Sequence, residues 1–188
     1  MFESKFKAMR HVETVRNFIS TVIKELLNRQ ELHDQTKLQS PEAEIFAEHT
    51  PKLRDSAYAS EEYNECLKEM NVALEHHYKN SRHHPEHFGH MRCAACMDTY
   101  TIDPDAHCVD CSRNGIPKHS ILSMNLIDMI EMLCDWKAAT LRHDTGDLYQ
   151  SIELNQKRFG YGNEIKKLLI NTAKWLDEQD TFHHAKES

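Results

Sequence analysis

Four cysteines in two tight pairs carry the most readable chemistry of this chain. Cys93-Ala-Ala-Cys96 and Cys108-Val-Asp-Cys111 are separated by eleven residues. Each pair can turn two thiolates toward one ion, and two such knuckles complete a tetrahedron around zinc. Four thiolates leave no open coordination position, so the ion is expected to be structural. The intervening MDTYTIDPDAH is polar and short, as suits a loop whose fold comes from its metal. Two disulfides or unliganded thiols are the rival reading of the same spacing, and His90 or His107 is an alternative ligand to one Cys.

A second set of metal-ligating types is dispersed: His11, His33-Asp34, His76-His77, His83-His84, and the acids Asp128, Glu131 and Asp135. Fourteen His stand against seven Phe and two Trp, an excess that points to metal or phosphate chemistry. Imidazoles and carboxylates brought together from several helices make a His2Asp2 site with positions left for water. Mixed nitrogen and oxygen donors suit Mn, Fe, Co, Ni or Zn better than a strict magnesium site. Such an ion acidifies a bound water and polarises a phosphoryl oxygen, which supports hydrolysis at neutral pH.

Each of these residues also has a plainer reading. A His-Asp dipeptide arises by chance, and the chain has another at His143-Asp144. Asp128, Glu131 and Asp135 follow helical spacing and share one stripe, which a solvated acidic face would explain. The flanking Ile127, Ile130, Leu133 and Trp136 argue for burial instead, and buried acids need partners. Asp135 is then the favoured ligand and Glu131 a candidate base. His76-His77 and His83-His84 can equally be cations capping helix ends. Glu86 and His87 follow Pro85 and can serve only to order that turn. Lys79, Arg82 and Arg142 are candidate phosphate contacts, although surface cations commonly serve solubility alone.

His33-Asp34-Gln35-Thr36-Lys37 resembles the HD-x-x-K motif of the HD-type metal-dependent phosphohydrolases. In that group a lone His on an early helix precedes the His-Asp pair, further His residues and a late Asp. HDQTKLQSPEAEIFAEHTPKL, LEHHYKNSRHHPEHF, MNLIDMIEMLCDWKAATLRH and SIELNQKRF are also similar to stretches of an uncharacterised phage and bacterial family within the group. The resemblance spans nearly the whole chain apart from the cysteine loop. It implies one all-α, HD-like helical bundle over residues 1–188, with a four-cysteine zinc loop inserted at 90–118. It further implies His11, His33, Asp34 and Asp135 as ligands of a divalent ion. Lys37 is then a phosphate contact or a partner of the ligand carboxylate, and Asp34, Lys37 and Glu131 are the catalytic candidates. His77, His83, His84 and Arg142 are expected to bind substrate phosphate, or the histidines a second ion. The downstream histidines are paired and shifted relative to the two-metal members of the group.

The elements that must position these groups read as helices. Val12, Val15, Phe18, Ile19, Val22, Ile23, Leu26 and Leu27 predict an amphipathic helix over about 10–29, with His11 on its apolar face. A short helix is expected to carry Leu32, His33 and Asp34. Ser40-Pro41 looks like a cap and first-turn pair opening a helix that Thr50-Pro51 ends. One long helix is expected over 61–79. Another should begin near Met124, with further helices at Asp147–Phe159 and Asn163–Leu176 separated by Gly160 and Gly162, and a frayed tail after Asp177.

Composition limits the function classes. The 188 residues are 39% hydrophobic and 28% charged, with a formal charge of −7. That balance argues against a nucleic-acid partner. No run approaches the ~20 apolar residues that span a bilayer, and the N-terminus lacks a signal-type apolar core, so a cytoplasmic protein is expected. No Walker-type loop or dinucleotide fingerprint is present. The leading expectation is a phosphohydrolase acting on a small phosphate ester, a nucleoside monophosphate or a cyclic or oligonucleotide signal. A non-catalytic binding module that uses the HD pocket for a ligand and the zinc loop for a protein partner is the alternative. A homo-oligomer is compatible with either.

Overall fold

A computed structural model of the chain describes residues 2–55, 60–93, 115–119, 121–141 and 146–184. The described residues are predominantly α-helical and fall into two compact units, Met1–Gln35 and Thr36–Ser188.

The first unit is one helix, α1 (Phe2–Leu32). Its 31 residues contain no Gly or Pro, so nothing in the backbone chemistry interrupts it. Thr14 and Thr21, weak helix formers, donate their hydroxyls to the carbonyls of Arg10 and Asn17 one turn back. Arg29 donates to Glu25 at 2.8 Å across one turn. The chain leaves the helix through Asp34, whose φ of 56° is left-handed, a conformation Asp tolerates better than most side chains. The short helix expected to carry Leu32, His33 and Asp34 does not form: Leu32 ends α1, and His33 and Asp34 make the turn that follows it. The apolar stripe of α1 is present, but Val12, Val15, Phe18, Ile19, Val22, Ile23 and Leu27 are exposed.

The 3-10 turn Gln35–Leu38 begins on the last residue of the first unit, and the second unit continues with α2 (Glu42–Asp55), α3 (Glu61–Glu69) and α4 (Asn71–Asn80). Pro51 does not end α2; it lies inside it, at the cost of the bond its nitrogen would have donated to the Ala47 carbonyl. The expected 61–79 helix is split at Met70 (φ −80°, ψ 0°), whose N–H still reaches the Cys66 carbonyl. Because Met70 stays near helical geometry, the apolar period runs through the break and conceals it. Ser60 caps α3 by accepting from the Tyr63 N–H.

A 3-10 turn at Pro85–Phe88 then enters a two-stranded antiparallel ladder, β1 (Gly89–Cys93) and β2 (Gly115–His119), in the register Gly89↔His119 to Cys93↔Gly115. The inserted loop thus begins and ends in paired strands. GHMRC alternates polar and apolar residues but GIPKH does not, so period-two patterning marks only one of the two strands. Pro117 is tolerated because a two-stranded sheet leaves each strand an open edge.

After a 3-10 turn at Ile121–Ser123, helices α5 (Leu126–Thr140), α6 (Leu148–Phe159) and α7 (Asn163–His184) pack on one another. Their core holds Met132, Leu133, Ile152, Phe159, Tyr161, Leu169 and Ala173, with Ile121 and Met124. Met132 and Ile152 are completely buried, each worth about 1.5–3 kcal/mol of transfer free energy. Asn125 and Asp128 form a reciprocal capping box on α5, and Gly160 ends α6 at φ 68°. Helix α7 runs past Leu176 to His184. No helix among the described residues is long and apolar enough to cross a membrane.

Candidate metal centre

The seam between α2–α4 and α5–α7 is polar, and the histidines collect there. Glu42, the first residue of α2, is completely buried. The positive end of the helix dipole makes that position favourable for a carboxylate. Its two oxygens accept from His76 Nδ1 at 2.7 Å and from His77 Nδ1 at 2.9 Å. The Thr36 hydroxyl donates to the second oxygen at 3.0 Å. A carboxylate only accepts, so the proton of His77 sits on Nδ1 and its lone pair on Nε2.

That Nε2 faces His84 Nε2 at 3.0 Å. Two imidazole nitrogens on one tetrahedral zinc, each at about 2.0–2.1 Å, stand roughly 3.3 Å apart. The observed spacing is close to that of co-ligands. His83 joins them, its ring centroid 4.3 Å from that of His84. Its Nδ1 lies 3.0 Å from Glu131 Oε1, a second carboxylate holding a second imidazole from behind. Ligand atoms of His77, His83 and His84 all lie within 4.8 Å of one another. Carboxylates that fix the tautomer and ring direction of histidines are the usual outer shell of a metal site.

Burial of the His84 imidazole, with His83 and His77 beside it, pushes its pKa down to about 3. It therefore presents a neutral imidazole at neutral pH, the form that coordinates a metal. The charge of Asp135, one turn beyond Glu131 on α5, acts on His84 in the opposite sense.

The short segment carrying His83 and His84 is anchored on three sides. Arg82 donates to both Asp128 oxygens at 3.1 and 3.0 Å, tying it to the start of α5. Glu86 accepts from Arg158 of α6 at 2.6 Å, and His87 Nδ1 donates to the Tyr78 carbonyl of α4. Burial, and next the charge of Glu86, raise the pKa of Tyr78, which packs on the His84 ring.

Three imidazoles beside a carboxylate form a nitrogen-rich donor set. It fits Zn, Mn, Fe, Co or Ni, and it does not fit magnesium, which takes six oxygens.

Several expectations need correction. His11 cannot share an ion with His33, because the intervening helix is unbroken and separates them by roughly 30 Å at 1.5 Å per residue. It is also exposed, not on a buried face. Arg82 and Asp128 hold each other and shape the turn, so Arg82 is not placed as a phosphate contact. Glu131 orients His83, a positioning role in place of the expected base. His77 and His83, expected to bind substrate phosphate or an ion, are buried and converge with His84, an arrangement that suits the ion rather than the phosphate. Within the first unit His33 Nε2 lies 3.6 Å from Asp34 Oδ2. Lys37 and Asp135 belong to the second unit. Cys93 closes β1, while Cys96, Cys108, Cys111 and Arg142 lie outside the described residues. Sequence reasoning missed Glu42 altogether. An acid in a first helical turn needs no explanation beyond the helix dipole, and only its burial reveals the role.

No curated protein and no solved structure matches the chain. A family model does match, over residues 1–181, and the chain belongs to that family, a family of unknown function (DUF5662).

Proposed function

We propose that this protein is a metal-dependent phosphohydrolase with an HD-like helical bundle, acting on a small phosphate ester of the nucleotide class. The observation that carries the reading is the paired outer shell, Glu42 behind His77 and Glu131 behind His83, turned toward one point shared with His84. A fully buried carboxylate and a largely buried one, each fixing an imidazole, are costly to assemble for packing alone.

A divalent transition ion, when bound, supplies Lewis acidity toward a phosphoryl oxygen and a water acidic enough to attack at neutral pH. Glu42 and Glu131 keep the Nδ1 protons in place, so that the Nε2 lone pairs point inward. Lys37, whose charge reaches His84, holds the phosphate in this reading. Water oxygen bonds to phosphorus as the ester P–O bond breaks, and the departing alkoxide takes up a proton. A second ion, structural zinc on Cys93, Cys96, Cys108 and Cys111, is part of the same proposal.

Elemental analysis of wild type, His77→Ala/His84→Ala and His33→Ala/Asp34→Ala is the test, followed by a phosphatase and phosphodiesterase screen with manganese or cobalt. The proposal expects one ion lost with the histidine pair and turnover lost with it. The His33/Asp34 variant reports whether that pair also holds an ion. Unchanged metal content in the His77/His84 variant, or no hydrolysis of any phosphate ester by metal-loaded wild type, would overturn it.

A further inference from the structure

A shallow groove on the outer face of α2 adjoins the histidine cluster. It is lined by Lys37, Ala43, Phe46, Ala47, Thr50 and Pro51, with a volume of about 420 Å³. Ligand pockets commonly measure about 300–1,000 Å³. Phe46 is the wall common to groove and cluster. One side of it meets His77 edge to face, with ring centroids 5.9 Å apart. The Lys37 ammonium stands over its ring at 5.5 Å from the centroid. The spacing Ala43, Phe46, Ala47, Thr50 is one face of the helix, so small side chains flank a single aromatic ring. An aromatic ring between two small residues, with a cation at one end, matches a flat aromatic group joined to an anion.

Resting on the phosphohydrolase reading, we infer that this groove holds the base of a nucleoside monophosphate whose phosphate lies at the histidine cluster, and that Phe46 is the specificity-determining residue. The base takes the place of the Lys37 ammonium over the Phe46 ring, and the displaced Lys37 side chain turns to the phosphate. Stacking of bases on aromatic side chains tolerates any base, because every base offers a π face. The groove therefore selects nucleoside over aliphatic phosphates without selecting among bases. Aliphatic esters lack the ring that Phe46 would stack and should gain nothing from the groove.

Calorimetric titration of the full-length, metal-loaded protein with adenosine 5′-monophosphate and with glycerol phosphate tests this. Wild type should bind the nucleotide at least about tenfold more tightly, the order of a modest stacking contact. Phe46→Ala should abolish that preference. Because Phe46 also touches His77, Ala47→Trp is the second variant; it fills the groove from an exposed position away from the histidines. It should remove the preference and leave glycerol phosphate affinity unchanged. Equal affinities in wild type, or a preference that survives Ala47→Trp, overturn the inference. Preferential nucleotide binding with no hydrolysis of either ester would sink the enzyme reading and leave the groove assignment standing. Hydrolysis of both esters with equal kcat/KM and equal affinity would do the reverse.

Discussion

Glu42 Oε2 lies 2.9 Å from Nδ1 of His77, and both side chains are buried. The contact decides which imidazole nitrogen carries the proton, and hence which one can coordinate. Glu42→Gln keeps the shape and removes the charge. It should weaken transition-metal binding about tenfold, and Glu42→Ala nearer a hundredfold, the range found for outer-shell partners. Competition against a chromophoric chelator reads both. Unchanged affinity in Glu42→Ala would mean that His77 is not a ligand.

The Arg82–Asp128 pair makes a different prediction. Asp128 is completely buried, and Arg82 is 42% exposed at its side chain. Arg82→Met removes the guanidinium from a buried carboxylate that also accepts from the Asn125 backbone, and should cost about 2–4 kcal/mol in urea denaturation. Asp128→Asn, which keeps polar capping atoms and leaves the cation able to reach water, should cost less. The opposite order would show that Asp128 matters mainly through its capping of α5.

How far the site was legible follows from these residues. Helices α5 and α6 stand in the sequence because Asn125 and Asp147 are cap residues ahead of apolar periods, and Gly160 is a stop signal. The pairs His76-His77 and His83-His84 were visible as chemistry, but their convergence depends on a turn whose anchors, Asp128 and Arg158, lie 46 and 72 residues from their partners. Periodicity carries no information over that distance. His11 shows the converse. A histidine at the right place in an expected order is excluded once the helix proves continuous, because 22 residues of α-helix are far longer than any coordination sphere.

Lys137, Asp177 and Tyr149 link α5, α7 and α6. Lys137 donates to Asp177 at 2.7 Å and the Tyr149 hydroxyl donates at 2.6 Å, and these bonds hold the Asp177 carboxyl below its ordinary range. A depressed folded pKa stabilises the protein above the unfolded carboxyl pKa, and the gain is lost as pH falls through the folded value. Asp177 is 44% exposed, so solvent screening limits the effect to about 0.5 kcal/mol or less. Lys137→Met should therefore lower stability slightly at pH 7 and flatten its decline below about pH 4. Thermal melts at pH 7 and pH 3 measure it. An undiminished decline in the variant would place the acid sensitivity elsewhere.

Zinc in the cysteine loop should be separable from the histidine cluster. Cys93 pairs with Gly115 at the far end of the ladder, while the hydrophobic core of α5–α7 is built from residues beyond Ser120. Cys93→Ser is expected to remove one zinc equivalent, leave metal affinity at His77, His83 and His84 within about twofold, and keep the far-UV helical signal. Destabilisation should be confined to the insert, since a closed four-thiolate site stabilises chiefly the segment it organises. Limited proteolysis followed by mass spectrometry distinguishes the cases: new cleavage between residues 94 and 114 with intact helices is the expected pattern. Loss of both ions in Cys93→Ser would show that the insert and the helical body fold as one cooperative unit, and would tie the zinc loop to the histidine site itself.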